Sequence, residues 1–303
     1  MAQYVIGING GASHSRLAAM DKEGNIIGQS FGKATNITSE TYEGVALNIQ
    51  NLLDELFTSS GLELKDCAAM CIGSAGASTG DNAGQLEQIL RKLGYNGKLR
   101  IMNDAELVLL SETGGCAGAI IISGTGSVGY AIDNDGGIFR AGGWGHIIDD
   151  GGSGYRIGMD AIGAALMDFD GRGERTRLTK IVSEFFDGIS LDKLADYVYS
   201  DEFNKAYIAK LARLVESAAK EGDNIALEIE QKAASDLASV ARALIKRAGL
   251  SKHKIVLSGS IILRNENVQR LFCEGLLKDF PEIEIVEMAE DAEIGAARLA
   301  WEI

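Results

Sequence analysis

The sequence predicts an α/β protein of two duplicated lobes, each a mixed sheet flanked by helices, with a central cleft between them. Three observations carry this expectation. Apolar strand-like runs alternate with helical runs along most of the 303 residues. The plan strand, glycine turn, strand, hairpin turn, strand occurs twice, as VIGINGG…KEGNII and IIISGTG…NDGGIF, roughly 115 residues apart. Three strands also run into small-residue turns, Gly10-Gly11-Ala12-Ser13, Ser123-Gly124-Thr125-Gly126 and Ser258-Gly259-Ser260.

In order, residues 4–9 form a buried strand and 15–20 a second strand of alternating character. Lys22-Glu23-Gly24-Asn25 turns the chain into a third strand at 26–31. Residues 40–58 have helical spacing, with Val45, Ile49, Leu52, Leu53 and Leu56 on one face. A strand at 68–76, a helix at 80–93, a strand at 98–103 and a helix from Asp104 complete the first half. The second half repeats the start with strands 117–123 and 127–132 and the hairpin turn Asn134-Asp135-Gly136-Gly137. A mainly helical stretch over 152–248 follows, then strand 254–258, helix 264–279, strand 283–287 and helix 291–302. These elements divide into a small lobe, 1–115, and a large lobe with a helical insertion, 116–289. The last segment, 290–303, is expected to pack back on the small lobe.

Composition narrows the function classes. Hydrophobic residues are 46% and charged residues 24%, with no apolar run near the roughly 20 residues of a membrane span. Met1-Ala2-Gln3-Tyr4-Val5 lacks the basic flank of a signal peptide. Cys67, Cys71, Cys116 and Cys273 show no CxxC pair, so reduced thiols in the cytoplasm are expected. A net charge of −14 disfavours nucleic acid as a partner. It does not exclude a nucleotide, because backbone N–H groups in glycine turns hold phosphate without lysines. The chain has 38 glycines against 1 proline, which fits many tight turns.

The turns are read as phosphate-binding because polyphosphate needs backbone amides at close range, and a Cβ in the turn obstructs them. Gly124-Thr125-Gly126-Ser127-Val128-Gly129 matches the dinucleotide GxGxxG pattern, but a strand and hairpin follow it where that fingerprint needs a helix. No GKS or GKT occurs, so the P-loop reading fails as well.

The blocks Gly7-Ile8-Asn9-Gly10-Gly11-Ala12-Ser13, Thr35-Asn36 and Asn103-Asp104-Ala105 are followed by Ile122-Ser123-Gly124-Thr125-Gly126-Ser127. Then come Gly142-Gly143-Trp144-Gly145-His146, Asp149-Asp150-Gly151-Gly152-Ser153, Leu257-Ser258-Gly259-Ser260 and Asp291-Ala292-Glu293-Ile294-Gly295-Ala296-Ala297. Together they resemble the BadF/BadG/BcrA/BcrD ATPase family of the ASKHA superfamily, and within it the amino-sugar kinases. The SGTGS and GGWGH blocks, about 20 residues apart, are its most specific markers.

The resemblance implies a duplicated actin-like (ribonuclease H-like) ATPase fold, ATP and Mg²⁺ as cofactors, a small amino sugar as substrate and a homodimer. It implies Asp104 as the catalytic base. Phosphoryl transfer to an alcohol needs a carboxylate at that point, and Asn103 could cap the helix in its place. For ATP it implies Gly11, Ser13, Thr125, Gly126, Ala219, Gly259 and Ser260. For the sugar it implies Asn36, Ser127, Gly143, Trp144, Gly145 and Asp150, with His146 orienting the loop. His14 and His253 are expected at the surface. Mg²⁺ is assigned to Asp104 and, through water, to Asn9, where many relatives carry an acidic residue. Val128 stands where animal N-acetylglucosamine kinases have a sugar-contacting asparagine.

The implied reaction is transfer of the ATP γ-phosphoryl group to the sugar 6-hydroxyl. N-acetylglucosamine, N-acetylmuramic acid and glucosamine remain open as acceptors. Two other classes are weighed. An ATPase activator of 2-hydroxyacyl-CoA dehydratases would hold an iron–sulfur cluster on cysteines in glycine-rich motifs, and none of the four cysteines has that context. A sugar-responsive regulator would carry an added DNA-binding segment, for which there is no room before Gly7. Because a neutral amide can still orient metal-bound water, Asn9→Asp should retain phosphoryl-transfer activity. Complete loss of turnover in a folded variant would remove Asn9 from the metal.

Overall fold

The computed structural model describes residues 3–11, 14–37, 40–74, 76–187, 189–201, 203–289 and 291–303. It contains two compact units, one formed by 1–117 with 288–303 and the other by 118–287. Strands β1 (Tyr4–Gly10), β2 (His14–Met20) and β3 (Ile26–Lys33) open the chain. They are followed by α1 (Tyr42–Ser60), β4 (Cys67–Ser74), α2 (Asn82–Lys92), β5 (Lys98–Met102) and α3 (Asp104–Thr113). The second unit begins with β6 (Gly118–Ser123), β7 (Ser127–Ile132) and β8 (Ile138–Ala141).

Among the described residues the long helical stretch resolves into six α-helices, three of them opened by the polar caps Ser153, Asn204 and Asp223. They are α4 (Gly154–Phe169), α5 (Leu178–Phe185), α6 (Leu194–Val198), α7 (Lys205–Ile208), α8 (Leu211–Lys220) and α9 (Asn224–Ala248). Strand β9 (Lys254–Ser258) leads into α10 (Ser260–Arg264), α11 (Glu266–Asp279) and β10 (Glu284–Glu287). The helix expected over 264–279 is α11, which starts at Glu266 because Asn265 leaves the helical conformation and its side chain accepts the Val268 N–H at 2.9 Å; the short α10 before it was not expected. Helix α12 (Ala292–Ala300) ends the chain.

Each unit has one five-stranded sheet, in the orders β3-β2-β1-β4-β5 and β10-β9-β6-β7-β8. Read strand for strand, the second sheet repeats the first. β1 and β6 each pair antiparallel with the next strand and parallel with the fourth strand of the plan. This mixed pairing is what the duplicated hairpin-then-helix sequence requires.

In the first unit Ile6, Ile8, Leu17 and Ala19 face the apolar stripes of α1 and α2, including Val45, Ile49, Leu52, Leu86 and Ile89. Thr41 starts α1 by accepting the Gly44 N–H at 3.1 Å, and Gly61 stops it at φ 71°. The opposite sheet face carries α12, whose backbone lies directly on Gly7. A Cβ there would sit 2.1 Å from the Glu293 carbonyl oxygen and 2.2 Å from the Ala297 nitrogen. In the second unit α9 covers β7, where a Cβ at Gly129 would lie 2.6 Å from Leu244. Tyr155, Ile162, Val182, Phe186, Ile208 and Leu211 form a separate core among the helices.

Burial pushes the Cys67 and Cys71 thiols up to about 12, the behaviour of inert core residues. Cys116 is exposed and Cys273 half-buried. No helix among the described residues is long and apolar enough to cross a membrane. Gly7→Val should displace α12 and cost about 3 kcal/mol or more, the upper range for overpacking. The urea midpoint by circular dichroism checks this, and an unshifted midpoint would contradict the contact.

Candidate active site

In the first unit β1, β4 and β5 run parallel, with Gly10 opposite Ser74 and Gly73 opposite Met102. Their carboxyl ends therefore share one edge, the usual ligand edge of an open α/β sheet. Asn9 is half-buried there, in register with Arg16 on β2 and Gly73 on β4. Gly10 must be glycine, because a Cβ would lie 2.4 Å from the Thr35 hydroxyl. Thr35 Oγ1 is 2.8 Å from Ser15 Oγ, and Ser74 Oγ donates to the Thr35 carbonyl at 3.4 Å. This buried hydroxyl group fixes the segment that carries Asn36, itself buried. The Gly11 N–H donates to the His14 carbonyl at 3.1 Å and closes the first turn. The expected hydroxyl donor Ser13 lies outside the described residues.

Asp104 is the first residue of α3, immediately after β5. Asn103 is the N-cap and accepts the Ala105 N–H at 3.0 Å, so the helix start does not depend on Asp104. Asp104 Oδ1 also accepts that N–H, at 2.9 Å. Burial nevertheless raises its pKa, outweighing the hydrogen bonds that lower it. A half-buried carboxylate with a raised pKa is suited to receive a proton.

In the second unit the turn between β6 and β7 is fastened to residues 150–155 by four hydrogen bonds. Ser123 Oγ donates to the Gly152 carbonyl at 2.7 Å and Ser127 Oγ to the Gly151 carbonyl at 2.8 Å. The Gly154 and Tyr155 N–H groups donate to the carbonyls of Gly124 and Thr125 at 2.8 and 3.2 Å. Asp150 is 5% exposed and, among the described non-glycine residues, alone has a positive φ, 61°. Its Oδ2 sits 3.0 Å from where a Cβ at Gly126 would be, so the carboxylate occupies the space that glycine leaves open.

Gly143 packs on Val128, whose Cβ and Cγ2 would lie 2.6 Å from an added Cβ. The departure at Val128 thus gives the glycine loop an apolar seat. Trp144 is 62% exposed rather than core, and its N–H donates to Asp149 Oδ2 at 3.3 Å. The His146 ring lies edge-on to Tyr155 at 5.1 Å. Ser127, Gly143, Trp144, Gly145 and Asp150 therefore belong to one cluster in this unit, whereas Asn36 and Asp104 belong to the first.

Gly259 has φ 97°, and a Cβ on it would lie 2.4 Å from the Ser123 carbonyl oxygen, so two of the three expected phosphate turns touch backbone to backbone. A cavity of about 620 Å³ is lined by Gly124, Thr125 and Ser260, together with Lys210, Arg213 and Arg264. An adjoining cavity of about 300 Å³ shares Glu216 and Asn265 with it and is lined by Ala219. Both fall in the size range of small-molecule sites. Thr125 and Ser260 thus line one cavity, and Ala219 lines its neighbour. The three cations were missed in the sequence. The spacing of Lys210 and Arg213 on one helical face was their only signal, and it is a weak one. Buried Glu230, which accepts from Asn265 and Asn267 at 2.6 and 2.8 Å, was also missed. His14 is exposed, and His253 is half-buried with its Nδ1 unpartnered.

Residues 6–300 match the BadF/BadG/BcrA/BcrD ATPase family. The chain is 37% identical to the N-acetylmuramic acid/N-acetylglucosamine kinase of Clostridium acetobutylicum, over 98% of each chain. It is 28% identical to the N-acetyl-D-glucosamine kinase of Dictyostelium discoideum, also over 98% of each. Its structure resembles that of a Chromobacterium violaceum protein assigned as an N-acetylglucosamine kinase, with TM-score 0.76, 26% identity and 99% coverage of both chains. The fold is the actin-like ATPase fold of sugar kinases.

Because burial raises the Asp104 pKa in the folded state, the ionised carboxylate costs stability above that pKa. The cost fades as pH falls and is absent below the unfolded value. Asp104→Asn should therefore be at least as stable as the parent at pH 7, with the advantage vanishing near pH 4. Urea midpoints at the two pH values test the sign.

Proposed function

Because the chain belongs to the BadF/BadG/BcrA/BcrD ATPase family, we propose that it phosphorylates an amino sugar, N-acetylglucosamine and/or N-acetylmuramic acid, at the 6-hydroxyl at the expense of ATP. The observation that carries the reading is the fastening of the SGTGS turn to the Asp150 segment. It holds the SGTGS turn beside the buried Asp150 carboxylate, in the same unit as the glycine-flanked Trp144, which supports reading the turn as phosphate-binding. The activity of the 37% identical relative supports the same reaction.

In this mechanism the triphosphate lies along the second-unit pocket. Thr125 and Ser260 are at its phosphate end, with Gly126 next to Thr125 in the same turn, Lys210, Arg213 and Arg264 supplying positive charge, and Ala219 at the base end. The sugar rests against Trp144, Gly143 and Gly145, with Asp150, Asn36 and Ser127 as polar contacts. Asp104 accepts the proton of the 6-hydroxyl as its oxygen bonds to the γ-phosphorus. The bond from the γ-phosphorus to the bridging oxygen breaks, and ADP leaves with that electron pair.

Mg²⁺ bound to nucleotide keeps most of its water and needs only one or two carboxylates, which fits a site offering Asp104 and the neutral Asn9. When bound, it would neutralise charge on the β- and γ-phosphates. Among the described residues no cluster of three or more His, Cys, Asp or Glu could hold a metal without the nucleotide. The reading includes a cytoplasmic homodimer.

A coupled ADP-release assay across N-acetylglucosamine, N-acetylmuramic acid and glucosamine tests it, with ³¹P NMR identifying the phosphorylated position. Asp104→Asn should lower kcat about 10²–10⁴-fold, the usual weight of general-base catalysis. If no sugar raises ADP release above that variant, the assignment fails.

A further inference from the structure

The loop Gly142–Gly145 contains three glycines at φ 67°, 71° and 100°, so its backbone has little conformational preference of its own. What holds it is a side chain outside it. Arg140, on β8, donates through Nε to the Gly142 carbonyl at 3.2 Å and through Nη2 to the Gly143 carbonyl. Its guanidinium also lies 4.4 Å from the centre of the Trp144 indole. The Arg140 carbonyl in turn accepts Arg247 Nη1 of α9 at 2.8 Å, and the Arg247 guanidinium packs 5.5 Å from the Phe139 ring. On the far side of the loop Asp149 takes the Trp144 N–H. The carbonyls and one indole face are thus fixed by Arg140 and the amide by Asp149, while the tryptophan stays largely exposed.

We propose that Arg140 is a positioning residue for the acceptor sugar: it sets the pose of Trp144 and hence the affinity for the amino sugar, without touching nucleotide. This rests on the sugar-kinase reading above. The fork of a guanidinium suits the role because two neighbouring carbonyls and a ring face are engaged by one planar group. A lysine ammonium is a point charge that can keep the ring contact but not the paired donation.

The test uses Arg140→Met and Arg140→Lys in the full-length enzyme. Arg140→Met should raise KM for N-acetylglucosamine and for N-acetylmuramic acid by a similar factor, about tenfold. KM for ATP should stay within about twofold and kcat within a few-fold, the pattern of lost uniform binding. Arg140→Lys should fall between Met and the parent.

The chain has 2 tryptophans, so a Trp301→Phe background isolates Trp144. Its emission should change on sugar addition in the parent and much less in Arg140→Met. Equal rises in both KM values with a Trp144 emission change on sugar addition as large as the parent's would reduce Arg140 to a structural residue. A rise confined to N-acetylmuramic acid would make it a direct ligand of that sugar's carboxylate. Either result overturns the proposal, as does an unchanged sugar KM in a parent enzyme that is an active sugar kinase. A parent with no sugar-stimulated ADP release would sink the kinase reading itself, and the positioning role with it.

Discussion

The contact on which the site depends is that of the Asp150 carboxylate with the bare Cα of Gly126. A methyl at position 126 would be 3.0 Å from Asp150 Oδ2 and press the carboxylate out of its place. Asp150 meets its side by adopting φ 61°, a conformation that aspartate tolerates better than most residues because its short polar side chain can bond locally. The strain is held by the surrounding bonds: Ser123 and Ser127 grip the carbonyls at 151 and 152, and the first turn of α4 grips those at 124 and 125. Over-determination of this kind lets an active-site residue keep a sparsely populated backbone. The SGTGS turn and the Asp150 carboxylate are thereby fixed relative to each other by backbone geometry.

The same economy explains how an acidic chain can hold a polyanion. With 43 acidic residues against 29 basic, bulk electrostatics opposes ATP. The second unit offers a local answer: the glycine turns at 124–126 and 259 pack closely, and Lys210, Arg213 and Arg264 line one cavity. Donors and charges placed within contact distance outweigh a diffuse unfavourable field that salt screens.

Much of this was legible in the sequence. Apolar runs ending in small-residue turns marked β1, β6 and β9, and the repeated hairpin turns gave the duplication, because these signals are local. Trp144 was read against two glycines, and its exposure fits a binding wall rather than core. The Ser15–Thr35–Ser74 hydroxyl cluster was illegible, since its members lie on β2, on β4 and just after β3, whose adjacency is set by sheet order. Lys210, Arg213 and Arg264 looked like ordinary solvated charges, for helix surfaces usually carry them. Arg140 was missed for a similar reason: its partners are carbonyls, and no side-chain pattern announces a donor to backbone. Val128 was visible as a departure, but that it seats Gly143 needed coordinates.

Helix α12 lies on β1 through the gap left by Gly7, although some 280 residues of chain separate the two. During synthesis the opening hairpin must therefore wait, with one sheet face bare, until the whole second unit has emerged and the closing segment arrives. The nascent protein spends that interval with an uncovered apolar surface, at about 5–20 residues added per second. The order in which the ribosome delivers the parts thus makes the earliest-made half the last to be completed.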